Sequence, residues 1–319
     1  MAKPTVLMTT PMLPAIVAKL EARFDLLWLP GAPDREAVLE QAAATARGIG
    51  MFPTGVVTAE MIDRLTRLEV IAVAGAGYEF VDVPAAKARN ILVTNAPDAL
   101  TQEVADVSMA LIVMTVRRLA AADAYLRAGK WEANGPMPIS PGSLAGGTLG
   151  ILGLGRIGRA VARRAEAFGL KIAHPGRTRQ EGVGHAYFDS AQALAEASDI
   201  LLVATPGGAE TRHMVDAAVL AKLGSQGYLV NIGRGTAVDE AALVAALEAG
   251  TIAGAGLDVY EEEPRVHPGL IGREDVVLLP HLASGSVPTR TAMGQAMLDN
   301  LEAWFSTGRG LSPIAEMGS

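Results

Sequence analysis

The chain contains no cysteine, few aromatic residues and no long run of basic residues. The absence of cysteine excludes disulfides, thiolate nucleophiles and cysteine-ligated metals. Nucleic-acid binding needs clustered Lys and Arg to neutralise phosphates, and a net charge of −7 without a basic run does not provide them. We therefore expect no nucleic-acid partner and no cysteine-ligated metal, and we assign no metal site.

Long apolar runs are also absent. Prolines and charges interrupt every apolar run in the first thirty residues, MAKPTVLMTTPMLPAIVAKLEARFDLLWLP. These runs are shorter than the core of a signal peptide or a membrane span. We expect no targeting segment, no membrane partner and a cytoplasmic location.

Apolar residues nevertheless make up 50% of the 319 positions, and aromatic residues only 4%. A chain of this length favours two domains over one. Aliphatic abundance with few aromatics is typical of parallel α/β sheets, whose strands are buried on both faces.

Short apolar runs alternate with helical stretches in two series. The first series extends from TVLM (5–8) to ILVT (91–94), and the second from TLGILGLG (148–155) to VVLLP (276–280). Alternation of this kind predicts βα units, and nearly continuous apolar runs predict strands buried in doubly wound parallel sheets. The sequence therefore predicts an α/β protein with two Rossmann-like domains.

One long helix is predicted over 101–128, between the two series, and a last helix over about 289–306. The last helix is long enough to return to the first domain. We expect a discontinuous first domain made of residues 1–100 and 284–319, and a second domain made of residues 101–283.

A glycine pattern directly follows the first strand of the second series and opens an amphipathic helix. Gly153 permits a tight turn, Gly155 lets the backbone approach a pyrophosphate, and Gly158 lets the helix pack closely on the strand. The helix N-terminus offers N–H groups to phosphates. The alternative is that the glycines only form a tight strand-to-helix corner.

The next strand ends in HPGRTR, residues 174–179, where an NAD site usually has Asp or Glu. The guanidinium of Arg177 can donate paired hydrogen bonds to a 2′-phosphate, with Thr178 and Arg179 beside it. This segment predicts a preference for NADPH, with NADH possible. The alternative is a solvated surface loop.

Three side chains with complementary chemistry follow later strands of the second series. Arg234 would bind a substrate carboxylate and polarise a keto oxygen, His281 would donate a proton to that oxygen, and Glu263 would orient the imidazole. Carboxyl ends of parallel strands meet at one edge of a sheet, where ligands bind. Taken singly, each residue could have no role in catalysis. Arg234 could be an ordinary surface residue, and His281 could simply form a hydrogen bond within its loop. Asp258 either faces the cofactor or caps a strand.

Several segments in order resemble the D-isomer-specific 2-hydroxyacid dehydrogenase family over nearly the whole chain. They are LAGGTLGILGLGRIGRAVARRAEAFG, TPGGAETRHMVDAAVLAKL, LVNIGRGTAVDEAALVAAL, GAGLDVYEEEP and LPHLASGSVPTRTAMG. The resemblance implies that Arg234, Glu263 and His281 are the catalytic residues and that Asp258 faces the cofactor. VAGAGYEFVD resembles the loop that grips a substrate carboxylate through backbone amides. At Asp98, Gln102 and Asp106, the family usually has Gly, Asp and Glu.

The resemblance also implies that residues 1–100 and 284–319 form a flavodoxin-like substrate-binding domain and that residues 101–283 form the NAD(P)-binding Rossmann domain. It further implies two sets of binding residues. The substrate set is Met51, Phe52, Ala74, Gly75, Ala76, Gly77 and Arg234. The cofactor set is Thr101, Gly153, Leu154, Gly155, Arg156, Ile157, Gly158, Arg177, Thr178, Arg179, Thr205, Pro206, Thr211, Ile232, Asp258, His281, Ser284 and Gly285. For Met51 and Phe52, a purely structural role in the core is the alternative.

Within the family, the Arg-Thr pair resembles the NADPH-linked glyoxylate and hydroxypyruvate reductases, including the hydroxyphenylpyruvate-reducing branch. This implies reduction of a small 2-keto acid to the D-2-hydroxy acid by a homodimer built through the nucleotide-binding domains. Substrate choice then depends on MFPTG (51–55) and on Trp131 reaching from a partner subunit. One or two apolar contacts change selectivity by only about 1 to 3 kcal/mol, so the sequence does not identify the keto acid.

Two other functions fit the same fold. One is a non-catalytic NAD(P)-sensing scaffold of the corepressor kind, which would bind cofactor without turnover. The other is formate or phosphite oxidation, against which the arginine cofactor segment argues.

Overall fold

The computed structural model describes residues 3–176 and 184–317. The chain divides into two compact units, one of residues 1–100 with 284–319 and the other of residues 101–283. Both contain parallel sheets covered by helices, which confirms the predicted fold class. The first unit is discontinuous and its last helix comes from the end of the chain.

The first unit has a five-stranded parallel sheet with the order β2-β1-β3-β4-β5, the order of the flavodoxin-like arrangement. Its strands are β1 (Thr5–Met8), β2 (Asp25–Trp28), β3 (Ala46–Met51), β4 (Val70–Val73) and β5 (Leu92–Thr94). Its helices are α1 (Pro14–Arg23), α2 (Arg35–Thr45), α3 (Ala59–Arg64), α4 (Val83–Ala88) and α12 (Val287–Thr307).

Side-chain caps fix where the short helices of this unit begin. Asp34, Thr58 and Asp82 each accept a hydrogen bond from the backbone N–H three residues further on, at 2.9 to 3.2 Å. Such caps satisfy N–H groups that have no partner within the helix. They therefore define the turns that return the chain to the sheet.

Small residues on β3 let α12 pack directly on the sheet. A methyl group at Gly48 would lie 3.3 Å from Leu301 and Phe305, and one at Gly50 would lie 3.2 Å from the sulfur of Met297. The later residue of β3 thus contacts the earlier residue of α12, so the strand and the helix run in opposite directions. The N-terminal end of α12 therefore lies toward the carboxyl end of β3.

The second unit has a seven-stranded parallel sheet with the order β12-β11-β10-β9-β6-β7-β8, the classical dinucleotide-binding order with one added edge strand. Its strands are β6 (Thr148–Leu152), β7 (Lys171–Pro175), β8 (Ala186–Phe188), β9 (Ile200–Val203), β10 (Tyr228–Asn231), β11 (Gly254–Leu257) and β12 (Val276–Leu278). Its helices are α5 (Thr101–Val116), α6 (Leu119–Arg127), α7 (Lys130–Asn134), α8 (Arg156–Ala167), α9 (Ala191–Glu196), α10 (Ala217–Leu223) and α11 (Glu240–Glu248).

The single helix predicted over 101–128 is wrong, because the chain breaks it after Val116. Arg118 adopts a left-handed conformation with φ of 53°, which α-helices do not accommodate. The hydroxyl of Ser140 donates to the freed carbonyl of Val116 at 2.5 Å. Two helices, α5 and α6, therefore replace one. In the part of the chain that the structure describes, no helix has the length and apolar character needed to cross a membrane.

Candidate active site

The glycine turn between β6 and α8 has the geometry of a dinucleotide-binding corner. Gly153 has φ of 99°, and a methyl group there would lie 2.7 Å from the carbonyl oxygen of Ala204. A methyl group at Gly158 would lie 2.2 Å from the carbonyl oxygen of Gly153. Both positions therefore need glycine for the fold itself.

Gly155 differs from these two glycines, because a methyl group there would meet no atom within 4 Å. Its backbone is extended, which any residue adopts, so neither packing nor conformation explains a glycine. Gly155 immediately precedes Arg156 and Ile157, the first residues of α8, whose N–H groups favour an anion. An open approach to a helix N-terminus suits a pyrophosphate, so the corner fits a dinucleotide.

The loop after β9 packs against the loop that carries Arg234. Thr205 is buried, and a methyl group at Gly233 would lie 2.6 Å from its carbonyl oxygen. Thr211 closes the loop by donating to the carbonyl of Pro206 at 2.9 Å. The predicted residues Thr205, Pro206 and Thr211 thus share this loop, and the predicted Ile232 is buried in the next one.

β7 ends as predicted, just before the segment expected to choose between NADPH and NADH. His174 is buried in this strand and lies edge-on to Tyr187. Arg177, Thr178 and Arg179 lie outside the described residues.

A tight turn after β10 holds Arg234. The buried side chain of Asn231 accepts a hydrogen bond from the Gly233 N–H and donates one to the Arg234 carbonyl, both at 3.0 Å. The Arg234 guanidinium donates to the Gly233 carbonyl at 2.8 Å. Asn231 was not among the predicted site residues, although a polar residue that ends a buried apolar strand is a signal for it.

The Arg234 turn packs directly on the loop that contains Glu263. A methyl group at Gly235 would lie 1.8 Å from the backbone carbonyl of Tyr260, so only glycine permits this approach. The charge of Arg234 is one of the influences that lower the pKa of Glu263. Two of the three predicted catalytic residues are therefore brought together by backbone packing.

Glu263 and His281 form a direct pair. Oε2 of Glu263 lies 2.7 Å from Nδ1 of His281, and Oε1 accepts a hydrogen bond from the Tyr260 N–H at 3.1 Å. Burial acts to raise the pKa of Glu263, but the hydrogen bond and charge of His281, the Tyr260 N–H and Arg234 together hold it below its ordinary value. Glu263 therefore stays ionised and fixes one nitrogen of the ring, which leaves Nε2 for a substrate.

Asp258 shapes the turn that presents His281. Its carboxylate, 1% exposed, accepts hydrogen bonds from the N–H groups of Leu282 and Ala283 at 2.8 and 3.0 Å. His281 has φ of 51° and donates its own N–H to the Asp258 carbonyl. Left-handed conformations are costly for residues other than glycine and cluster at functional sites. Burial raises the pKa of Asp258 despite these two donors.

A cavity of about 310 Å³ opens beside the Glu263–His281 pair. Apart from these two residues, its lining is mainly apolar, with Tyr260, Pro264, Leu278 and Pro280 among its members. Apolar walls around a few polar groups are typical of small-molecule sites. Within the described residues, no group of three or more His, Asp or Glu side chains is placed to hold a metal ion.

In the first unit, the predicted substrate residues lie at the end of β3 and in the adjoining loops that follow β3 and β4. Met51 is fully buried, as the alternative of a purely structural role in the core would require. Its carbonyl accepts a hydrogen bond from the Ala74 N–H at 2.7 Å. Phe52 is 9% exposed. Gly75 packs on Pro53, since a methyl group there would lie 2.6 Å from the ring. Ala76 and Gly77 continue this loop and are partly exposed.

The remaining predicted residues lie where helices begin. Thr101 is the buried first residue of α5. Ser284 and Gly285 precede Ser286, whose hydroxyl caps α12 by accepting the Thr289 N–H at 3.2 Å. That cap explains why α12 begins at Val287, two residues earlier than predicted.

The chain matches a family model described as D-isomer specific 2-hydroxyacid dehydrogenase, NAD binding domain, over residues 109–283. It is 42% identical to a glyoxylate/hydroxypyruvate reductase of Arabidopsis thaliana over 309 residues, which are 97% of this chain and 98% of the relative. It is 41% identical to the hydroxyphenylpyruvate reductase of Plectranthus scutellarioides over the same shares of the two chains.

Among solved structures, the chain resembles an NADPH-dependent glyoxylate/hydroxypyruvate reductase from Sinorhizobium meliloti in complex with NADP and malonate. The two are 46% identical with a TM-score of 0.93, and the match covers 99% of this chain and 98% of the other.

Proposed function

Because the chain belongs to the D-isomer-specific 2-hydroxyacid dehydrogenase family, we propose that it reduces a small 2-keto acid to the D-2-hydroxy acid. Glyoxylate and hydroxypyruvate are the proposed substrates, with NADPH preferred over NADH. The observation that carries the proposal is the pair of Glu263 and His281 at 2.7 Å, with Arg234 held against the same loop.

Arg234 binds the substrate carboxylate and polarises its keto oxygen. Its guanidinium is planar and permanently charged, so it can donate to both groups at once. The Asn231 hydrogen bonds and the contact of Gly235 with Tyr260 fix the turn before substrate arrives. Donors fixed in advance stabilise charge that develops on the oxygen without reorganising during the reaction.

His281 donates the proton that the keto oxygen gains. Nδ1 is held by Glu263, so the proton leaves from Nε2, and in the oxidative direction Nε2 accepts it. The Glu263 carboxylate holds the ring in one orientation through the same hydrogen bond. NADPH, when bound, supplies the hydride that reaches the keto carbon.

The glycine corner and HPGRTR support NADPH as the cofactor. The open approach at Gly155 accommodates a pyrophosphate, and Thr205, Thr211, Ile232 and Asp258 are assigned to the same cofactor. Arg177, with Thr178 and Arg179, would bind the 2′-phosphate. A related reductase from Sinorhizobium meliloti is described as NADPH-dependent, which agrees with this assignment.

In the first unit, we assign the backbone amides of residues 74–77 to the substrate carboxylate. Successive N–H groups of a glycine-rich loop form a concave site that suits an anion. Phe52, in the neighbouring loop, and Met51, buried at the end of β3, are proposed to contribute to substrate choice.

We also assign a homodimer formed through the nucleotide-binding unit. Large apolar side chains are exposed along residues 119–139, namely Leu119, Leu126, Trp131 and Ile139. Isolated exposed apolar residues are normal, but a concentration over one short segment is typical of an interface. Trp131 is the side chain that would reach a partner's substrate.

Initial rates with NADPH and NADH, each against glyoxylate, hydroxypyruvate and pyruvate, test the proposal. We expect a strong NADPH preference and rapid reduction of glyoxylate or hydroxypyruvate. His281→Ala should lose mainly kcat, by about 10² to 10⁴-fold. Arg234→Ala should raise KM as well as lower kcat, because Arg234 binds the substrate in both states.

The competing function is a cofactor-sensing scaffold, and the same experiment distinguishes it. A scaffold would bind NADPH in a fluorescence titration with negligible turnover of every keto acid. Wild-type turnover by His281→Ala would contradict the proton-donor assignment while leaving the family unaffected.

A further inference from the structure

A second cation lies beside the substrate residues assigned in the first unit. Arg290 is in the first turn of α12, and its guanidinium lies 5.3 Å from the centre of the Phe52 ring. Phe52 directly follows β3 and retains a small exposed surface. Both residues belong to the same unit, and this contact links α12 to the loop that follows β3.

This contact lies next to the loop assigned to the substrate carboxylate. The Ala74 N–H donates to the Met51 carbonyl at 2.7 Å, and Gly75 packs on the Pro53 ring. β3 and β4 are parallel neighbours, so both loops leave the sheet at its carboxyl edge, where open α/β sheets bind ligands. Arg290 therefore brings a positive charge to the ligand-binding edge of this sheet.

At the other end of α12, a second arginine lies over a phenylalanine ring. The Arg47 guanidinium lies 5.1 Å from the centre of the Phe305 ring and donates to both carboxylate oxygens of Glu69, at 2.6 and 2.9 Å. Arg290 lies over an aromatic ring in the same way but differs from Arg47 in its charge partners. No acidic side chain within residues 3–176 and 184–317 forms an ion pair with Arg290.

A half-buried guanidinium without a counter-charge is an unfavourable arrangement. Burial lowers the pKa of Arg290, the direction expected when desolvation is not offset by an anion. A ligand carboxylate would supply the missing charge, and its two oxygens match the planar fork of arginine. The ring of Phe52 meanwhile holds the guanidinium in place from one face.

Building on the proposed function, we propose that Arg290 and Phe52 form a subsite for the second carboxylate of a 2-keto diacid. The amides of residues 74–77 then hold the carboxylate next to the keto group, and Arg290 selects what lies at the far end of the substrate. A diacid such as oxaloacetate gains a charge-assisted hydrogen bond that pyruvate cannot make. Arg290 is thus a specificity-determining residue.

The ratio of kcat/KM for oxaloacetate to kcat/KM for pyruvate, measured with NADPH, tests this subsite. Arg290→Gln should lower the ratio about tenfold or more, as expected for loss of a charged hydrogen bond. Arg290→Lys should retain part of it, because the charge remains. Arg47→Gln is the matched control and should leave the ratio unchanged, since Arg47 already pairs with Glu69.

The ratio does not depend on how much enzyme is folded, so a destabilised variant still gives an answer. An unchanged ratio in Arg290→Gln would overturn the subsite, whether kcat/KM falls equally for both substrates or for neither. Equal falls would mean a purely structural role for Arg290.

Binding measured by calorimetry separates this subsite from the proposed reaction. Wild-type protein should bind succinate more tightly than butyrate, and Arg290→Gln should remove the difference. If no keto acid is reduced but the succinate preference and its loss are observed, the proposed reaction fails and the subsite stands. Equal binding of succinate and butyrate by the wild type would overturn the subsite whatever the turnover.

Discussion

Glu263 accepts hydrogen bonds from the His281 ring and from the Tyr260 N–H on separate oxygens. A glutamine whose oxygen accepts from Tyr260 can meet Nδ1 of His281 only by donating its amide N–H, which fixes the other tautomer of the ring and removes the negative charge. Glu263→Gln should therefore lower kcat by about 10²-fold or more. Glu262→Gln is the matched control, because Glu262 is exposed and its ion pair is with the exposed Arg265. Equal rates for the two variants would refute the positioning role.

The pH dependence of this variant follows from the lowered pKa of Glu263. Its carboxylate is more easily ionised in the folded protein than at the ordinary value of 4.5. The ionised carboxylate therefore contributes stability above pH 4.5, and this contribution is lost as the pH falls through the lower folded pKa. In urea unfolding, the difference between wild type and Glu263→Gln should be largest near neutral pH and should shrink below pH 4.5.

Arg177 carries the prediction about the 2′-phosphate. Two opposite charges about 4 Å apart attract by roughly 4 kcal/mol at an effective dielectric near 20, before desolvation is subtracted. Arg177→Ala should therefore raise KM for NADPH by about 10²-fold or more and change KM for NADH little. NADH is the internal control. An equal rise for both cofactors would indicate a general effect on the fold and would assign HPGRTR to a solvated loop.

Residue types and their positions after strands were enough to indicate Arg234, Glu263 and His281. The structure added two side chains that the sequence analysis did not assign. Asn231 joins both sides of the Arg234 turn through local hydrogen bonds, and its polar character at the end of a buried apolar strand is the signal that could have found it. Arg290 stacks on Phe52, which is distant in the chain, and a tertiary contact of this kind leaves no periodic signal in the sequence.

At the scale of elements, the two glycines around the start of α8 have different physical reasons. A methyl group at Gly158 would collide with the Gly153 carbonyl, whereas one at Gly155 would meet only open space. Gly158→Ala should cost about 1 to 3 kcal/mol of unfolding free energy, the usual cost of overpacking. Gly155→Ala should cost less than about 1 kcal/mol, the range for a changed helix cap.

The affinity for NADPH should show whether Gly155→Ala affects cofactor binding separately from stability. A methyl group at Gly155 would occupy the approach that the pyrophosphate needs, so the Kd for NADPH should rise at least about tenfold despite near-normal stability. Urea unfolding and a fluorescence titration of each variant give both quantities. Unchanged NADPH affinity in Gly155→Ala would place the pyrophosphate elsewhere.

Strands and most helices were predictable because burial on both faces leaves short, nearly continuous apolar runs. The break between α5 and α6 was not, because neither Gly nor Pro marks it. Arg117 and Arg118 fit a helical pattern, and local propensity does not favour the left-handed conformation that Arg118 adopts.

For the whole molecule, the proposed homodimer predicts an apolar contact surface on the nucleotide-binding unit. A groove beside α5 is lined mainly by apolar side chains, including Met109, Val113, Met114 and Phe168, and Leu119 borders it. A two-fold interface places the same patch of both copies in contact, so each apolar residue in it counts twice. Burying such a surface in a second copy would remove an unfavourable exposure to water.

Leu119→Glu combined with Leu126→Glu tests this interface. These side chains are 45% and 55% exposed in one chain, so the substitutions should leave its fold intact while charging the contact surface. Light scattering should give twice 33.1 kDa for the wild type and 33.1 kDa for the double variant. Ile271→Glu, at a position 64% exposed elsewhere in the same unit, is the control and should remain dimeric. A monomeric wild type, or a double variant that stays dimeric, would exclude this interface and with it the contact of Trp131 with a partner's substrate.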